Sequence, residues 1–323
     1  MKRFESFLAT KMEEYLAYRQ TLGYSQPNTL WGLLAFDRFL QEKNGSWQIL
    51  QTDLFLEFRN RFKRDAHTAN MIISRLRTFF QFLVRQEIYD MNPLRDIPDI
   101  PEKIFVPFVF SPKQVDLLLA AVQKRLRKNK RFYLQDLALY VAMVLIARCG
   151  LRISEPLRLK CHHYREQEGS IYIEKTKFKK DRLLPVPQSA LRELNNYLAV
   201  RKSLLDHDTS PYLLLGEGEK GISDNKIYRF FHPAIQDIGL RQPRQTLGNV
   251  IFSPPRVHSL RHSFAINTLK SIKERGQNVQ NALPVLAAYM GHREYRHTGA
   301  YLKVLDANQR QGLIEFAKSK RIT

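Results

Sequence analysis

The chain has 323 residues, with 52 Lys+Arg against 31 Asp+Glu, a formal net charge of +21. A hydrophobic content of 44% can fill a real core and excludes low-complexity disorder, and two cysteines, Cys149 and Cys161, exclude a disulfide framework. The charge points to a polyanionic partner, most economically nucleic acid, because each phosphate neutralised by Lys or Arg releases counterions.

At roughly 100–200 residues per domain the length predicts two domains. The opening MKRFESFLATKMEEYL interrupts its apolar residues with charges too often for a signal peptide, and the longest apolar run, 137–147, is short of the ~20 residues that cross a bilayer. The expectation is a soluble, cytoplasmic protein with no membrane partner. Residues 1–92 read as helical throughout. Over 66–86, Ile72, Leu76, Phe79, Phe80 and Leu83 share one helical face, and breaks at Gly23, Pro27 and Gly45 separate four or so short helices. From 93 to 107 the chain carries Pro93, Pro98, Pro101 and Pro107, a density that no helix interior tolerates, which predicts a stiff extended connector. Ser111-Pro112-Lys113-Gln114 then has the form of a capping box with proline at the first helical position.

Beyond it, 137–147 is apolar on all sides and reads as a buried helix. The segments 169–174 and 182–186 flank a basic tip and resemble a hairpin. Helices are expected at 190–204, 225–238, 261–273, 283–289 and 308–317, with the polar stretch 273–281 a surface loop. The fold class is mainly α with an α+β second half containing one small antiparallel sheet.

Four clusters can carry chemistry. In Gly150-Leu151-Arg152-Ile153-Ser154-Glu155, Gly150 is a left-handed helix stop and Ser154 a cap for a following helix. Arg152 would then stand beside a helix amino terminus, suited to two phosphate oxygens, or else form a surface pair with Glu155. The hairpin tip offers Lys175, Lys177, Lys179, Lys180 and Arg182, as a groove-reaching element or a solvated loop. In His258-Ser259-Leu260-Arg261-His262, His258 and Arg261 share a helix face three residues apart, placing an imidazole and a guanidinium beside one oxyanion. A metal reading of His258 and His262 lacks the Glu of H-E-x-x-H, and Cys161-His162-His163 has no second ligand pair, so no metal and no cofactor are expected. The last cluster is Met290-Gly291-His292 followed by Thr298 and Tyr301. Singly, each of these is more simply core or surface; their order within one basic domain is what distinguishes them.

In that order the boxes resemble the tyrosine recombinases, the phage integrase and Xer-type enzymes. The 150–155 box matches the family's first arginine box, Lys177 its hairpin lysine with Lys175 as the alternative, 258–262 its H-x-x-R box, and His292 and Tyr301 its last histidine and its nucleophile. Tyr295 is the competing tyrosine. The resemblance extends over nearly the whole chain, with 1–92 as a helical, SAM-like core-binding domain, 93–107 as linker and 108–323 as the catalytic domain. It implies a metal-independent, site-specific DNA strand transferase. Tyr301 would attack the scissile phosphate to form a 3′-phosphotyrosyl link, Arg152 and Arg261 would hold the non-bridging oxygens, Lys177 would protonate the leaving 5′-oxygen, and His258 and His292 would bond the phosphate. It implies double-stranded DNA as partner, a homo-tetramer on DNA formed from monomers or weak oligomers, an accessory recombinase or DNA-bending protein, and a place at the bacterial nucleoid. The tail, with Leu305, Leu313, Ile314 and Phe316 at helical spacing, would dock on a neighbouring protomer as in family members, or on its own domain. A mobile-element integrase or transposase is the favoured role, with an Xer-type chromosome-dimer resolvase, a type IB topoisomerase and a catalytically silent DNA-binding protein as alternatives. The basic run 124–131 has no individual role on sequence alone.

Overall fold

The computed structural model describes residues 3–302 except 25, 64, 175–180, 218–220, 293–297 and 300. Lys175, Lys177, Tyr295 and the expected helix at 308–317 therefore lie outside the described residues. The chain divides into two compact units, Met1–Ile104 and Phe105–Thr323.

The first unit is built from α1 (Ala9–Thr21), α2 (Pro27–Glu42), α3 (Thr52–Asn60) and α4 (Ala66–Arg85). α4 starts where the Asp65 carboxylate accepts from the Thr68 N–H at 3.2 Å, satisfying a donor that the first turn leaves orphaned. Its stripe of Ile72, Leu76, Phe79, Phe80 and Leu83 is buried. Phenylalanines fill much of this core: the Phe36 ring lies 5.6 Å from Phe55, 5.1 Å from Phe58 and 6.3 Å from Phe80 between centroids, with large apolar area per residue. The first half of the proline-rich stretch is part of this unit rather than a free tether. Leu94 and Ile97 are buried in the core, and Arg77 donates to the Leu94 carbonyl at 3.1 Å and the Ile97 carbonyl at 2.8 Å. The Asn70 amide pairs with both the N–H and the carbonyl of Ile100, each at 2.8 Å.

In the second unit, β1 (Ile104–Val106) precedes α5 (Pro112–Lys124), whose capping box is present: the Ser111 hydroxyl accepts from the Gln114 N–H at 3.2 Å, and the Gln114 side chain from the Ser111 N–H at 2.9 Å. α6 (Lys130–Cys149) is buried at every position from 136 to 147. Its segment Phe132–Cys149 is long and apolar enough to cross a membrane, yet 78% of it is buried inside the unit, as in the central helix of a packed domain. β2 (Tyr164–Arg165), β3 (Ser170–Ile173) and β4 (Arg182–Pro185) form an antiparallel sheet in that order, with Ile171 opposite Leu184 and Ile173 opposite Arg182. α7 (Gln188–Leu204), α8 (Asp224–Asp237), β5 (Gln245–Leu247), β6 (Val250–Phe252), α9 (Val257–Glu274) and α10 (Val279–Met290) complete the described elements.

Several expectations are corrected here. No helix follows Ser154: Pro156–Arg158 is one 3₁₀ turn, because the chain then leaves to bond across to 211–213, with the Cys161 N–H on the Pro211 carbonyl and the Leu213 N–H on that of Leu159. A second small sheet, ordered β1-β6-β5, was not anticipated. β5 is exposed along its whole length, so no apolar alternation marks it, and its only signal is the Gly248-Asn249 turn, with Gly248 at φ +58°. The surface loop expected over 273–281 is present but shorter, exposed residues 275–278, since α9 ends at Glu274 and α10 begins at Val279. Two cations of the 124–131 run have structural partners: Arg125 bonds Asp237 through Nε at 2.5 Å and Nη2 at 2.6 Å, and Arg127 grips the fully buried Asp136 while its guanidinium covers the Phe132 ring at 4.1 Å.

Candidate active site

Three helix termini meet where the sequence boxes converge. α6 ends at Gly150 and α10 at Gly291, both left-handed, with φ of +60° and +64°. At Gly150 a Cβ would stand 2.4 Å from Cδ1 of Phe264, so this position needs glycine for space as well as for conformation; at Gly291 a Cβ would press on the Arg182 guanidinium, 2.9 Å from Nη1, and the positive φ is what asks for glycine. The carbonyls around these stops point to one place, and guanidinium groups meet them. Arg261, on the second turn of α9 and buried, donates from Nη1 to the Gly150 carbonyl at 2.5 Å and from Nη2 to the Met290 carbonyl at 2.6 Å. Arg152 donates from Nη2 to the next carbonyl, that of Gly291, at 2.7 Å. Consecutive carbonyls thus hold the two arginines side by side at the negative ends of two helix dipoles, which favours the cations. Burial, followed by repulsion from Arg152, depresses Arg261 to about 10, so it remains cationic at neutral pH.

Glu155 organises the open side of the pair. Its carboxylate accepts from the Arg152 N–H at 2.9 Å and Arg152 Nη1 at 2.8 Å, and from Arg182 Nη1 and Nη2 at 3.2 and 2.9 Å. Arg182 also donates from Nε to the Tyr289 carbonyl at 2.8 Å, fastening β4 to α10. Burial pushes the Glu155 carboxyl up, but the hydrogen bonds and charge of Arg182, the Arg152 N–H and the charge of Arg261 together bring it below its ordinary 4.5. The Arg152–Glu155 pair is therefore not a surface pair; the Glu155 side chain is 8% exposed. A depressed carboxyl contributes stability that is complete above the unfolded value of 4.5 and is lost as pH falls through the lower folded value. Glu155→Gln is expected to cost about 2–4 kcal/mol at pH 7, by leaving two partly buried guanidiniums uncompensated. It should also flatten the fall of Tm below pH 4.5, which thermal melts from pH 3 to 7 would measure; an unchanged slope would remove this role.

The histidines and the tyrosine line the adjoining wall. His258 stands at the start of α9 with part of its surface open to solvent; desolvation by its surroundings, then the charges of Arg261 and Arg152, lower its pKa. His292 follows the α10 stop, with its N–H on the Ala287 carbonyl at 3.0 Å and Nδ1 2.7 Å from the Thr298 hydroxyl. Tyr301 is 6% exposed and packs among Ile266, Leu269, Leu286 and Met290. Its ring lies 6.0 Å from that of His292, and burial raises its pKa against the lowering influence of Arg261 and Arg152. The site thus brings together Arg152, His258, Arg261, His292 and Tyr301 from positions up to 149 residues apart in the chain; Lys177 lies outside the described residues, beyond the end of β3 in sequence.

Three contributors escaped the reading from residues. Glu155 and Arg182 were visible only as a surface pair and a hairpin cation, because their pairing spans 27 residues. His262, whose i, i+4 spacing from His258 first suggested a metal pair, places Nδ1 3.3 Å from the Tyr301 hydroxyl. Among the described residues no group of three or more His, Cys, Asp and Glu side chains is arranged to hold a metal ion.

The phage integrase family model matches residues 109–308. A chain of Sinorhizobium fredii named as an integrase/recombinase is 29% identical over 294 residues, covering 90% of this chain and 91% of the relative. The fold is shared with XerH recombinase, solved bound to palindromic difH substrate, at TM-score 0.67 and 18% identity over 90% of this chain and 78% of that one. It is shared also with lambda integrase, solved as a dimer bound to a COC′ core site, at TM-score 0.66 and 16% identity over 93% and 78% of the two chains.

Proposed function

Because the chain belongs to the phage integrase family, the DNA strand-transferring tyrosine recombinases, we propose that it cuts and rejoins duplex DNA at a specific site through a 3′-phosphotyrosyl intermediate on Tyr301. The observation that carries the reading is the clamp of Arg152 and Arg261 on consecutive carbonyls, beside a buried tyrosine and two histidines.

A phosphodiester carries one negative charge, and a pentacoordinate transition state gathers more on its non-bridging oxygens. Two fixed guanidiniums with their carbonyl partners already in place meet that charge without reorganising, the condition under which electrostatic stabilisation is largest. The Tyr301 oxygen forms a bond to phosphorus as the bond to the 5′-oxygen breaks. The departing oxygen takes a proton from Lys177, and the phenol proton passes to the side of His258, so one phosphodiester replaces another and no energy-rich cofactor is consumed. His258 and His292 bond the phosphate oxygens. The rejoining step runs the same bonds in reverse with a 5′-hydroxyl of the other duplex. The first unit serves as the core-binding domain and the second as the catalytic domain, with four copies acting on two duplexes. The relatives solved on DNA support the partner, and the role we read for the chain is that of a mobile-element integrase, with an Xer-type resolvase as the second reading.

With EDTA present, the protein is expected to trap a nicked duplex taken from the DNA flanking its gene as a denaturant-stable adduct on a 3′ end with a free 5′-hydroxyl. Its footprint is expected to cover inverted repeats around a short spacer. Adducts that require a divalent metal, or relaxation of any supercoiled plasmid without site preference, would overturn the assignment.

A further inference from the structure

Neither the arginine clamp nor the phosphate-bonding histidines account for His262. It stands one turn beyond His258 on α9, edge-on to the His258 ring with centroids 4.6 Å apart, and half-buried behind it. Its other face meets Tyr301, with ring centroids 5.6 Å apart at 64° and Nδ1 3.3 Å from the phenol oxygen. A buried phenol must place its proton on an acceptor, and among the described residues this nitrogen is the one within reach.

We propose that His262 is a positioning residue for the nucleophile: its Nδ1 accepts a hydrogen bond from the Tyr301 hydroxyl and so fixes the direction in which the oxygen lone pairs point. The proposal rests on the reading of Tyr301 as the nucleophile.

Accepting requires a neutral imidazole with its hydrogen on Nε2, since the imidazolium donates from both nitrogens. The surroundings enforce neutrality: burial, then the neighbouring His258 and the Arg261 cation, hold His262 down at about 4. The same depression excludes it as the final resting place of the phenol proton, because so weak a base does not take a proton from a phenol that burial has raised. Its contribution is therefore orientation of the resting phenol: as the Tyr301 oxygen bonds to phosphorus, the hydroxyl hydrogen leaves its bond to His262 and turns to the side of His258, where it is removed. The 3.3 Å separation is long for such a bond, as contacts at a reacting group often are before substrate closes the site. Without this bond the phenol is free to rotate its hydrogen toward the incoming phosphorus, and only a fraction of encounters present a lone pair in line.

The test uses the full-length protein and nicked duplexes from the DNA flanking its gene. His262→Leu removes the acceptor and keeps comparable bulk; it is expected to slow adduct formation at least about tenfold, the loss of one hydrogen bond, while retention of the duplex in a gel shift is unchanged. His262→Asn sets a polar atom near the place of Nδ1 and is expected to recover most of the rate. A purely packing role predicts the opposite order, because Asn fills the space less well than Leu. Independently of DNA, nitrogen NMR of the histidine rings in the free protein is expected to show the His262 Nδ1 signal moving in Tyr301→Phe. Native rates in His262→Leu, Asn no better than Leu, or a His262 signal indifferent to Tyr301→Phe would each overturn the positioning role and leave Tyr301 as nucleophile. An adduct still formed by Tyr301→Phe would instead remove the nucleophile reading on which the proposal stands.

Discussion

Tyr301→Phe is expected to bind duplex DNA as the native protein does and to form no covalent adduct, a loss of more than about a thousandfold in strand cleavage. The substitution deletes one oxygen and keeps the ring that packs among Ile266, Leu269, Leu286 and Met290, so the fold has little reason to respond beyond the lost contact to His262. Binding is expected to rest on the many other cations of a chain of net charge +21, which this substitution leaves in place. Trapping on a nicked duplex with a gel shift in parallel separates the two quantities. Cleavage that survives in Tyr301→Phe would transfer the nucleophile to another tyrosine, with Tyr295 the next to test.

Arg261→Ala is expected to damage chemistry and fold together. The guanidinium joins the ends of α6 and α10, and its removal strands the carbonyls of Gly150 and Met290 in a buried space. Each unsatisfied buried carbonyl costs about 1–3 kcal/mol, offset by relief from burying the charge, for a net loss of about 2–4 kcal/mol and several degrees of Tm. Cleavage should fall by a further 10²–10³, roughly the loss on deleting one donor to a developing oxyanion. Arg261→Lys keeps the charge, but one ammonium does not bridge two carbonyls with the geometry of a planar fork, so it is expected to recover part of the stability and little of the rate. Melts and single-turnover cleavage check both. A native Tm in Arg261→Ala would mean that the two helix ends are satisfied without it.

These two side chains also mark how far the residues could be read unaided. The H-x-x-R spacing placed His258 and Arg261 on one helix face because period 3.6 is a property of the backbone, and α9 carries them so. Gly150 was legible as a left-handed stop, and its φ of +60° agrees, since few residues other than glycine take that conformation readily. The Ser111–Gln114 box, the buried helix of 137–147 and the hairpin pairing of β3 with β4 follow from equally local rules. The helix expected after Ser154 followed the same rules and was wrong, because bonds to residues 211 and 213, some fifty positions away, claim the backbone there. The exposed strand β5 carried no apolar alternation to announce it.

The sequence by itself therefore determined most of the elements, the order of the boxes that meet in the site and the excess of positive charge, because periodicity, capping, glycine conformation and net charge are local or additive quantities. Tertiary structure alone decided that Arg152 and Arg261 sit on consecutive carbonyls, that Glu155 belongs to Arg182 as much as to Arg152, and that His262 faces Tyr301. Those contacts join residues 27 to 139 positions apart. Such pairings depend on how α6, α9, α10 and β4 pack, and packing is a property of the whole unit that no single stretch of residues encodes.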